Sequence, residues 1–221
     1  MNRRPNRTQV YSALSSWHEC GLLTQSREIF LGISDEGLTG LDACVFIKNL
    51  TMLESLSSDP VVIRQYNVGG DQSAGFAIYD AIKASPCKFL FICYGSACSM
   101  GSVIPQAVAG KGLRVTHPNC EWLIHEGSCE IDGTTKQFIS TAEALKRMKN
   151  LMYDIYAGAC KKGSFFRGKH HDEIKNILKR RLNAKEDWIL YGEDAVKYGF
   201  ADVVFGKGIN GSMERLLQRV S

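Results

Sequence analysis

Short runs of apolar and β-branched residues alternate along the chain with stretches whose apolar residues recur every three or four positions. The short runs predict strands, and the stretches with helical spacing predict amphipathic helices. The predicted strands span residues 27–33, 61–66, 87–94, 113–116, 121–125 and 202–205. The predicted helices span residues 41–56, 74–82, 99–109, 172–182, 192–198 and 212–220. This alternation indicates an α/β fold with a mostly parallel sheet.

Residues 134–160 form the longest predicted helical segment. Ser140 and Glu143 have the spacing of a capping box, which predicts that the helix begins there. Leu145, Met148 and Met152 continue an apolar stripe at helical spacing, but no neighbouring segment is an obvious partner for it. An apolar helix face of this kind usually packs against another subunit, so the pattern predicts a homo-oligomer.

Composition limits the classes of protein to which the chain can belong. With 221 residues, 44% of them hydrophobic and 23% charged, the chain is long and apolar enough for one globular domain. The 27 Lys and Arg residues exceed the 23 Asp and Glu residues by only four, which does not indicate a nucleic-acid-binding protein. Residues 161–185 carry nine Lys or Arg, which a solvated helix face explains better than contact with nucleic acid.

Cysteine spacing and hydropathy argue against metals and membranes. The eight cysteines include no CxxC pair, so a zinc ribbon or a thioredoxin-like redox site is not supported, and we expect neither metal nor cofactor. Residues 89–110 are uncharged but contain Gly, Ser, Gln and Pro, which favours a buried strand, turn and helix over a membrane span. We therefore expect a soluble protein of a reducing, cytoplasmic compartment.

Ser99 has the most informative chemical setting. It lies where a predicted strand meets a predicted helix, within the sequence GSACSMGS. The first N–H groups of a helix lack intrahelical acceptors. When a hydroxyl at this position attacks a carbonyl carbon, the N–H of Met100 can therefore bind the oxyanion that forms. A simple N-cap role for Ser99 is the alternative. Cys98 is a rival nucleophile, but consecutive residues at a helix start point in different directions, and Ser99 is favoured.

Two other features point to the same chemistry. Gly69 and Gly70 also join a predicted strand to a predicted helix. An outward-pointing N–H of Gly70 would form, with that of Met100, a two-donor oxyanion hole, although an ordinary turn explains the glycine pair equally well. His125 ends the predicted strand of the sequence WLIH, where an imidazole serves either as a general base or as a structural side chain.

Together these pieces resemble the ClpP family of serine peptidases. The segments that carry the resemblance are VGGDQSAGFAIYDAI, YGSACSMGS, WLIHEG and KEDWILYGEDAVKYGFADVV. The resemblance covers about residues 27–205 and implies a ClpP- and crotonase-like ββα superhelix with a protruding handle helix, about residues 134–160. It also implies an N-terminal arm (1–26), a peptidase domain (27–206) and a C-terminal tail (207–221).

The resemblance implies a role for each site residue. Ser99 matches the nucleophile, His125 the base, and Asp187 the acid that orients the imidazole. The main-chain amides of the oxyanion hole correspond to Gly70 and Met100. An extended substrate would pair beside residues 69–72, with broad specificity and apolar preferences. The predicted substrate-binding residues are Gly69, Asp71, Gln72 and Glu126.

The resemblance also implies partners. ClpP-like proteins form stacked heptameric rings, joined by the long helix, and receive unfolded polypeptide from an AAA+ unfoldase of the ClpX or ClpA type. The chain has no GxxxxGK[ST] phosphate loop, so ATP use would belong to the unfoldase. Three alternatives stay open: a crotonase-fold acyl-CoA enzyme that needs the two amides but not Ser99, a non-catalytic ring subunit, and a phage capsid-maturation protease.

Overall fold

The computed structural model describes residues 15–32, 37–207 and 211–220. Within these ranges the chain forms an eight-stranded sheet that runs β1-β2-β3-β4-β5-β8, while β6 joins β4 to β7. The strands are Leu22–Leu23 (β1), Glu28–Gly32 (β2), Val61–Asn67 (β3), Phe89–Cys98 (β4), Gly112–Thr116 (β5), Glu121–Ile124 (β6), Trp188–Tyr191 (β7) and Val203–Val204 (β8). The β1–β2 and β6–β7 pairs are antiparallel and the other five pairs are parallel, as the α/β pattern predicted.

Helices follow most of the strands. They are residues 15–20 (α1), Gly40–Leu56 (α2), Gln72–Ala84 (α3), Met100–Val103 (α4), Thr135–Cys160 (α5), His171–Ala184 (α6), Gly192–Lys197 (α7) and Met213–Gln218 (α8). A 3-10 helix, Ile104–Val108, continues directly from α4. Within the described ranges, no helix combines the length and the low polarity that a transmembrane span requires.

The strand β4 explains why this part of the sequence is so apolar. Phe89, Phe91 and Cys93 face the main core between the sheet and the long helices. Leu90 and Ile92 point to the opposite face, where α8 covers them. Because successive side chains of a strand alternate between faces, a strand that is buried on both sides needs a continuous apolar run.

A bend divides β4 into two parts with different neighbours. Its first half pairs with β5, and its last three residues pair with β6. Between the halves, Gly95 has φ 53°, a left-handed conformation that glycine adopts without a steric penalty. The bend directs the end of β4 towards β6 and β7, where the candidate site lies.

The long helix α5 begins earlier than the sequence analysis predicted. Its capping box is formed by Thr134 and Gln137, whose side chains bond each other's backbone N–H groups. Ser140 lies inside the helix, and its hydroxyl donates to the Gln137 carbonyl at 3.0 Å. The predicted start at Ser140 is therefore wrong, because the Thr134 box caps the helix six residues upstream. The predicted extent of the helical segment, residues 134–160, agrees with the observed helix.

Two further segments differ from the sequence prediction. The predicted irregular arm, residues 1–26, is ordered in its second half as α1, β1 and a 3-10 helix, and β1 pairs with β2; residues 1–14 lie outside the described ranges, as does Ile33 of the predicted first strand. The strand β7 was not predicted, because its four residues follow a helix with no turn signal between them.

An ion pair between a buried arginine of β5 and an aspartate beside β8 closes the core at the middle of β5. Arg114, whose side chain is 1% exposed, binds Asp202 at 2.7 Å. Burial alone would raise the pKa of the Asp202 carboxyl, but the hydrogen bonds and charge of Arg114 outweigh it and hold this pKa below its usual value. A carboxyl group whose pKa is lower in the folded state stabilises the fold at pH values above its unfolded-state pKa. This stabilisation is lost as the pH falls through the folded-state pKa.

We expect Asp202→Asn to lower the free energy of unfolding at pH 7 by about 3–5 kcal/mol, because it leaves Arg114 buried without a counter-charge. Chemical denaturation at a series of pH values measures this loss. The difference from the wild type should shrink below about pH 4, where the wild-type carboxyl also becomes protonated. Asp80→Asn, an exposed change on α3, is the control, and equal stability of the two variants at pH 7 would contradict the prediction.

Candidate active site

Ser99 lies at a strained turn between β4 and α4. Its backbone has φ 52° and ψ −123°, a conformation that residues with a Cβ rarely adopt unless the surrounding structure imposes it. The Ser99 N–H donates to the Leu123 carbonyl at 2.9 Å, and the Ser99 carbonyl accepts from the Ser102 hydroxyl at 2.6 Å. These bonds hold the turn and direct the Ser99 hydroxyl towards the end of β6.

His125 directly follows β6 and contacts Ser99. Its Nε2 lies 2.7 Å from the Ser99 Oγ, which is hydrogen-bond distance. Because β6 runs parallel to β4 with Leu123 opposite Cys98, the carboxyl ends of the two strands lie side by side. The convergence of Ser99 and His125 predicted from sequence is therefore present in the structure.

Asp187 is brought to His125 by the antiparallel strand β7. Ile124 of β6 pairs with Trp188 of β7, so the next position outward places Asp187 opposite His125. The Asp187 Oδ1 lies 3.7 Å from the His125 Nδ1, and the aspartate side chain is 59% exposed against 21% for the histidine. The two groups are adjacent but beyond hydrogen-bond distance, which is common for catalytic contacts before a ligand binds.

The glycine pair lies directly against Ser99. Gly69 and Gly70 have φ of 100° and 134°, a region that favours glycine. A Cβ on Gly69 would lie 2.5 Å from the Ser99 Cβ, and a Cβ on Gly70 would lie 2.2 Å from the Leu38 backbone nitrogen. The absence of side chains at both positions is thus a steric requirement of this turn.

Hydrogen bonds fix the glycine pair and leave one amide outside the pairing. The Gly69 carbonyl accepts from the Leu38 N–H at 2.6 Å, and the Asp71 N–H donates to the Leu38 carbonyl at 2.8 Å. The Gly69 N–H donates to the Asn67 Oδ1 at 2.8 Å. The N–H of Gly70, between them, takes no part in this bridge, which is compatible with the role of oxyanion donor that the sequence analysis expects for it.

Met100 supplies a second amide at the same turn. It is the first residue of α4, where a backbone N–H has no intrahelical acceptor. Its side chain is buried against Gly75 of α3, where an added Cβ would lie 2.3 Å from the Met100 Cε. The two amides predicted for the oxyanion hole, those of Gly70 and Met100, therefore both border the Ser99 turn.

Cys98 does not compete with Ser99. Its thiol is buried and contacts the Ser96 hydroxyl at 3.1 Å. Burial raises the pKa of the Cys98 thiol above its usual value, which disfavours the nucleophilic thiolate. Because its sulfur turns towards Ser96, away from the face on which Ser99 meets His125, the preference for Ser99 is supported.

Three of the four predicted substrate-binding residues have contacts of their own. Gly69 uses both backbone groups as described above, and the Asp71 carboxylate caps α3 by accepting from the Ala74 N–H at 2.7 Å. Glu126 forms an ion pair with Lys149 and accepts a hydrogen bond from Tyr153, both on α5. Of the expected substrate-binding edge, residues 69–72, Gly70 is therefore the residue whose backbone these contacts leave out. Gln72 lies beside it, at the start of α3.

The contacts of Glu126 tie the loop after His125 to the long helix. Burial alone would raise the pKa of the Glu126 carboxyl, but the hydrogen bonds from Lys149 and Tyr153 outweigh it and lower this pKa. Glu126 is therefore ionised and paired at neutral pH. The predicted substrate-binding residue is, in the structure, a link between the site and α5.

Sequence reasoning missed the buried polar residues beneath the site. Gln65 and Asn67, on the same face of β3, are fully buried, and the Gln65 amide donates to the Gly101 carbonyl at 2.8 Å. Ser102 bonds the Tyr156 hydroxyl of α5 at 2.7 Å. The signal was present, since Gln65 and Asn67 alternate with Arg64 and Tyr66 at the end of a strand that begins with three apolar residues, and such amides indicate hydrogen-bonded buried groups. Among the described residues, no cluster of three or more His, Cys, Asp or Glu side chains suits a metal ion.

Comparisons with known proteins agree with this geometry. A family model described as "Clp protease" matches residues 13–208. The ATP-dependent Clp protease proteolytic subunit of Deinococcus radiodurans is 31% identical over 183 residues, which are 82% of this chain and 81% of the relative. The ATP-dependent Clp protease proteolytic subunit 3 of Nocardia farcinica is 32% identical over 186 residues, 83% of this chain and 76% of the relative.

A solved structure shows the same fold. A mutant of ClpP1 from Listeria monocytogenes superposes with a TM-score of 0.68 at 22% identity, covering 88% of this chain and 96% of that one. Fold and sequence together define a serine endopeptidase. More particularly, the chain belongs to the Clp protease family, since the family model spans most of it and both relatives exceed 30% identity. This membership decides against the crotonase-fold acyl-CoA enzyme.

We expect Gly69→Ala to lower peptidase kcat/KM by at least about 100-fold, because the new methyl group would displace Ser99 from its hydrogen bond to His125. Hydrolysis of a fluorogenic peptide measures the change.

Gly110→Ala is the matched control. Gly110 also has a left-handed φ, 87°, but a Cβ there meets no atom within 4 Å. It therefore reports the cost of backbone strain without a clash at the site. Equal activities of the two variants would show that the Gly69–Ser99 contact is not required.

Proposed function

We propose that the chain cleaves peptide bonds through an acyl-enzyme on Ser99, with His125 and Asp187 as the other catalytic residues. The observation that carries the proposal is the 2.7 Å contact between the Ser99 Oγ and the His125 Nε2, at a strained turn bordered by the backbone amides of Gly70 and Met100. A hydroxyl in hydrogen-bond contact with an imidazole is the arrangement that activates a serine nucleophile.

The proposed reaction begins with attack of the Ser99 Oγ on the scissile carbonyl carbon. The His125 Nε2 accepts the hydroxyl proton and later donates it to the leaving amine. Water then attacks the ester carbonyl, His125 again accepts a proton, and the carboxylate product leaves with Ser99 restored. The Asp187 carboxylate favours the imidazolium form, and its 3.7 Å separation from the His125 Nδ1 would have to shorten for a direct hydrogen bond.

The Gly70 and Met100 amides are the proposed oxyanion donors. Each such donor typically stabilises the transition state by roughly 3–4 kcal/mol. The substrate would bind as an extended strand beside Gly70, because the neighbouring Gly69 and Asp71 backbone groups already pair with Leu38. Main-chain pairing of this kind does not depend on the substrate sequence, so side-chain preferences must come from the walls of the site.

The outer half of α5 supports a proposed oligomer. Buried residues of α5 begin at Met152, whereas Phe138 and Ile139 are more than half exposed. We propose that these side chains pack against another copy of the chain in stacked heptameric rings. The relatives are named as proteolytic subunits of ATP-dependent proteases, so an AAA+ unfoldase of the ClpX or ClpA type, acting on unfolded polypeptide, is the proposed partner, and the cytoplasm the proposed compartment.

We expect a fluorophosphonate probe to label the purified chain at Ser99, and Ser99→Ala to abolish labelling and lower peptide hydrolysis by about 10⁶-fold. Mass spectrometry of the labelled peptide locates the adduct. Cys98→Ala is the control and should retain both probe labelling and peptide hydrolysis, because the Cys98 sulfur points away from His125. An unlabelled, inactive wild-type chain would instead support a non-catalytic ring subunit.

We expect Phe138→Glu with Ile139→Glu to convert the assembled particle into smaller species, because charges on a buried apolar contact are strongly unfavourable. Sedimentation velocity measures the change in mass. The control pair, Leu41→Glu with Leu56→Glu, alters two similarly exposed leucines on α2. Dissociation by the control alone would place the contact elsewhere.

A further inference from the structure

A basic cavity adjoins the candidate active site. It has a volume of about 510 Å³ and lies between the loop that follows His125, the middle of α5 and the end of α6. Its walls include Lys146 and Lys149 of α5 and Lys179 of α6. We call it the lysine pocket. Three ammonium groups around one cavity are unusual in a site expected to have apolar preferences.

The lysine pocket carries an excess of positive charge. Glu126 is the one acidic residue among its lining residues, and Lys149 and Tyr153 already bind that carboxylate. Lys179 lies over the Tyr153 ring and contacts the Asn150 amide oxygen at 3.5 Å. Within the described ranges, no carboxylate lies within ion-pair distance of Lys146 or Lys179. Two cations therefore border the cavity without a direct ion-pair partner.

Neutral residues complete the lining. Gln72, Ser128, Asn150 and Asn183 supply polar groups, and Gly127, Cys129 and Leu145 also line the cavity. Amides and hydroxyls donate hydrogen bonds to carboxylate oxygens, and bonds from neutral or cationic donors to a charged acceptor are stronger than neutral pairs. The donor set thus matches a carboxylate better than an aliphatic side chain.

The position of the pocket connects it to the reacting groups. Glu126 is the residue after His125, and Gln72 is the second residue after Gly70. The Gln72 amide also lies close to Gly127, where an added Cβ would be 3.5 Å from its nitrogen. The cavity is therefore lined by residues of the same two segments that carry the proposed base and the proposed oxyanion donor.

We infer that the lysine pocket binds an acidic side chain of the substrate and gives the enzyme a preference for Glu or Asp near the cleaved bond. This inference rests on the proposed function, since it concerns the same bound peptide. It replaces the apolar preference expected from sequence. Lys146 and Lys179 are the specificity-determining residues, whereas Lys149 is occupied by Glu126.

The test compares fluorogenic peptides that differ only by Glu against Gln at one of the three positions preceding the scissile bond. These side chains have the same shape, so the ratio of their kcat/KM values isolates the charge. We expect a ratio of about 10 at one position for the wild-type protein, as for one charge-assisted hydrogen bond. In Lys146→Glu with Lys179→Glu, the ratio should fall to about 1 or below. The control, Lys48→Glu with Lys83→Glu, makes the same charge change at exposed sites on α2 and α3 and should retain the wild-type ratio.

A binding measurement separates this inference from the proposed catalysis. Fluorescence anisotropy of labelled Glu and Gln product peptides with the Ser99→Ala protein measures the affinity of the pocket for each peptide without turnover. Tighter binding of the Glu peptide, lost with the Lys146 and Lys179 substitutions, supports the pocket even if Ser99 proves not to be the nucleophile. Equal binding of both peptides, or a Glu preference that survives the double substitution, would overturn it.

Discussion

The pairing of β6 with two neighbours at once is the constraint on which the candidate site depends. This strand has only four residues, yet its parallel register with β4 places His125 beside Ser99. Its antiparallel register with β7 places Asp187 on the other side of the same imidazole. Because side chains alternate along a strand, a slip of one residue against β4 would turn the histidine away from Ser99, and a slip against β7 would turn Asp187 away from the histidine. Three residues distant in sequence are therefore held together by backbone hydrogen bonds rather than by their own contacts.

Beneath this arrangement lies a layer of buried amides and hydroxyls. Asn67 holds the Gly69 N–H, Gln65 holds the Gly101 carbonyl, and Ser102 connects the Ser99 turn to Tyr156 of α5. Burying such groups is unfavourable unless each one finds a partner, and satisfied networks make the local conformation unique. The strained φ of Ser99 persists because these neighbours leave the turn few other conformations. The rigidity of the site is thus supplied by residues that take no direct part in the proposed chemistry.

Local patterns in the sequence were sufficient for much of this fold but not for all of the site. Glycines and small residues between a strand and a helix pointed to Ser99 and Gly70, because turn chemistry is a property of neighbouring residues. The place of Asp187 depends on β7, which no turn signal separates from the preceding helix, and the role implied for Asp187 came from family resemblance alone. The contacts of Glu126 with Lys149 and Tyr153 were also beyond sequence reasoning, since they join a loop to a helix more than 20 residues away. Thr134 was missed for a different reason: two sequences with the spacing of a capping box begin six residues apart, and the upstream one forms the box.

The bend at Gly95 makes one strand serve two purposes. Before the bend, Phe89–Cys93 lies at the centre of the sheet with its side chains enclosed on both faces. After it, Ser96–Cys98 is a short extension whose main task is to align the Ser99 turn with β6. Damage to the first part is damage to folding itself, whereas distortion of the second leaves a folded chain with misaligned chemistry. Within ten consecutive residues, the strand therefore contributes mainly to the core before Gly95 and mainly to the alignment of the site after it.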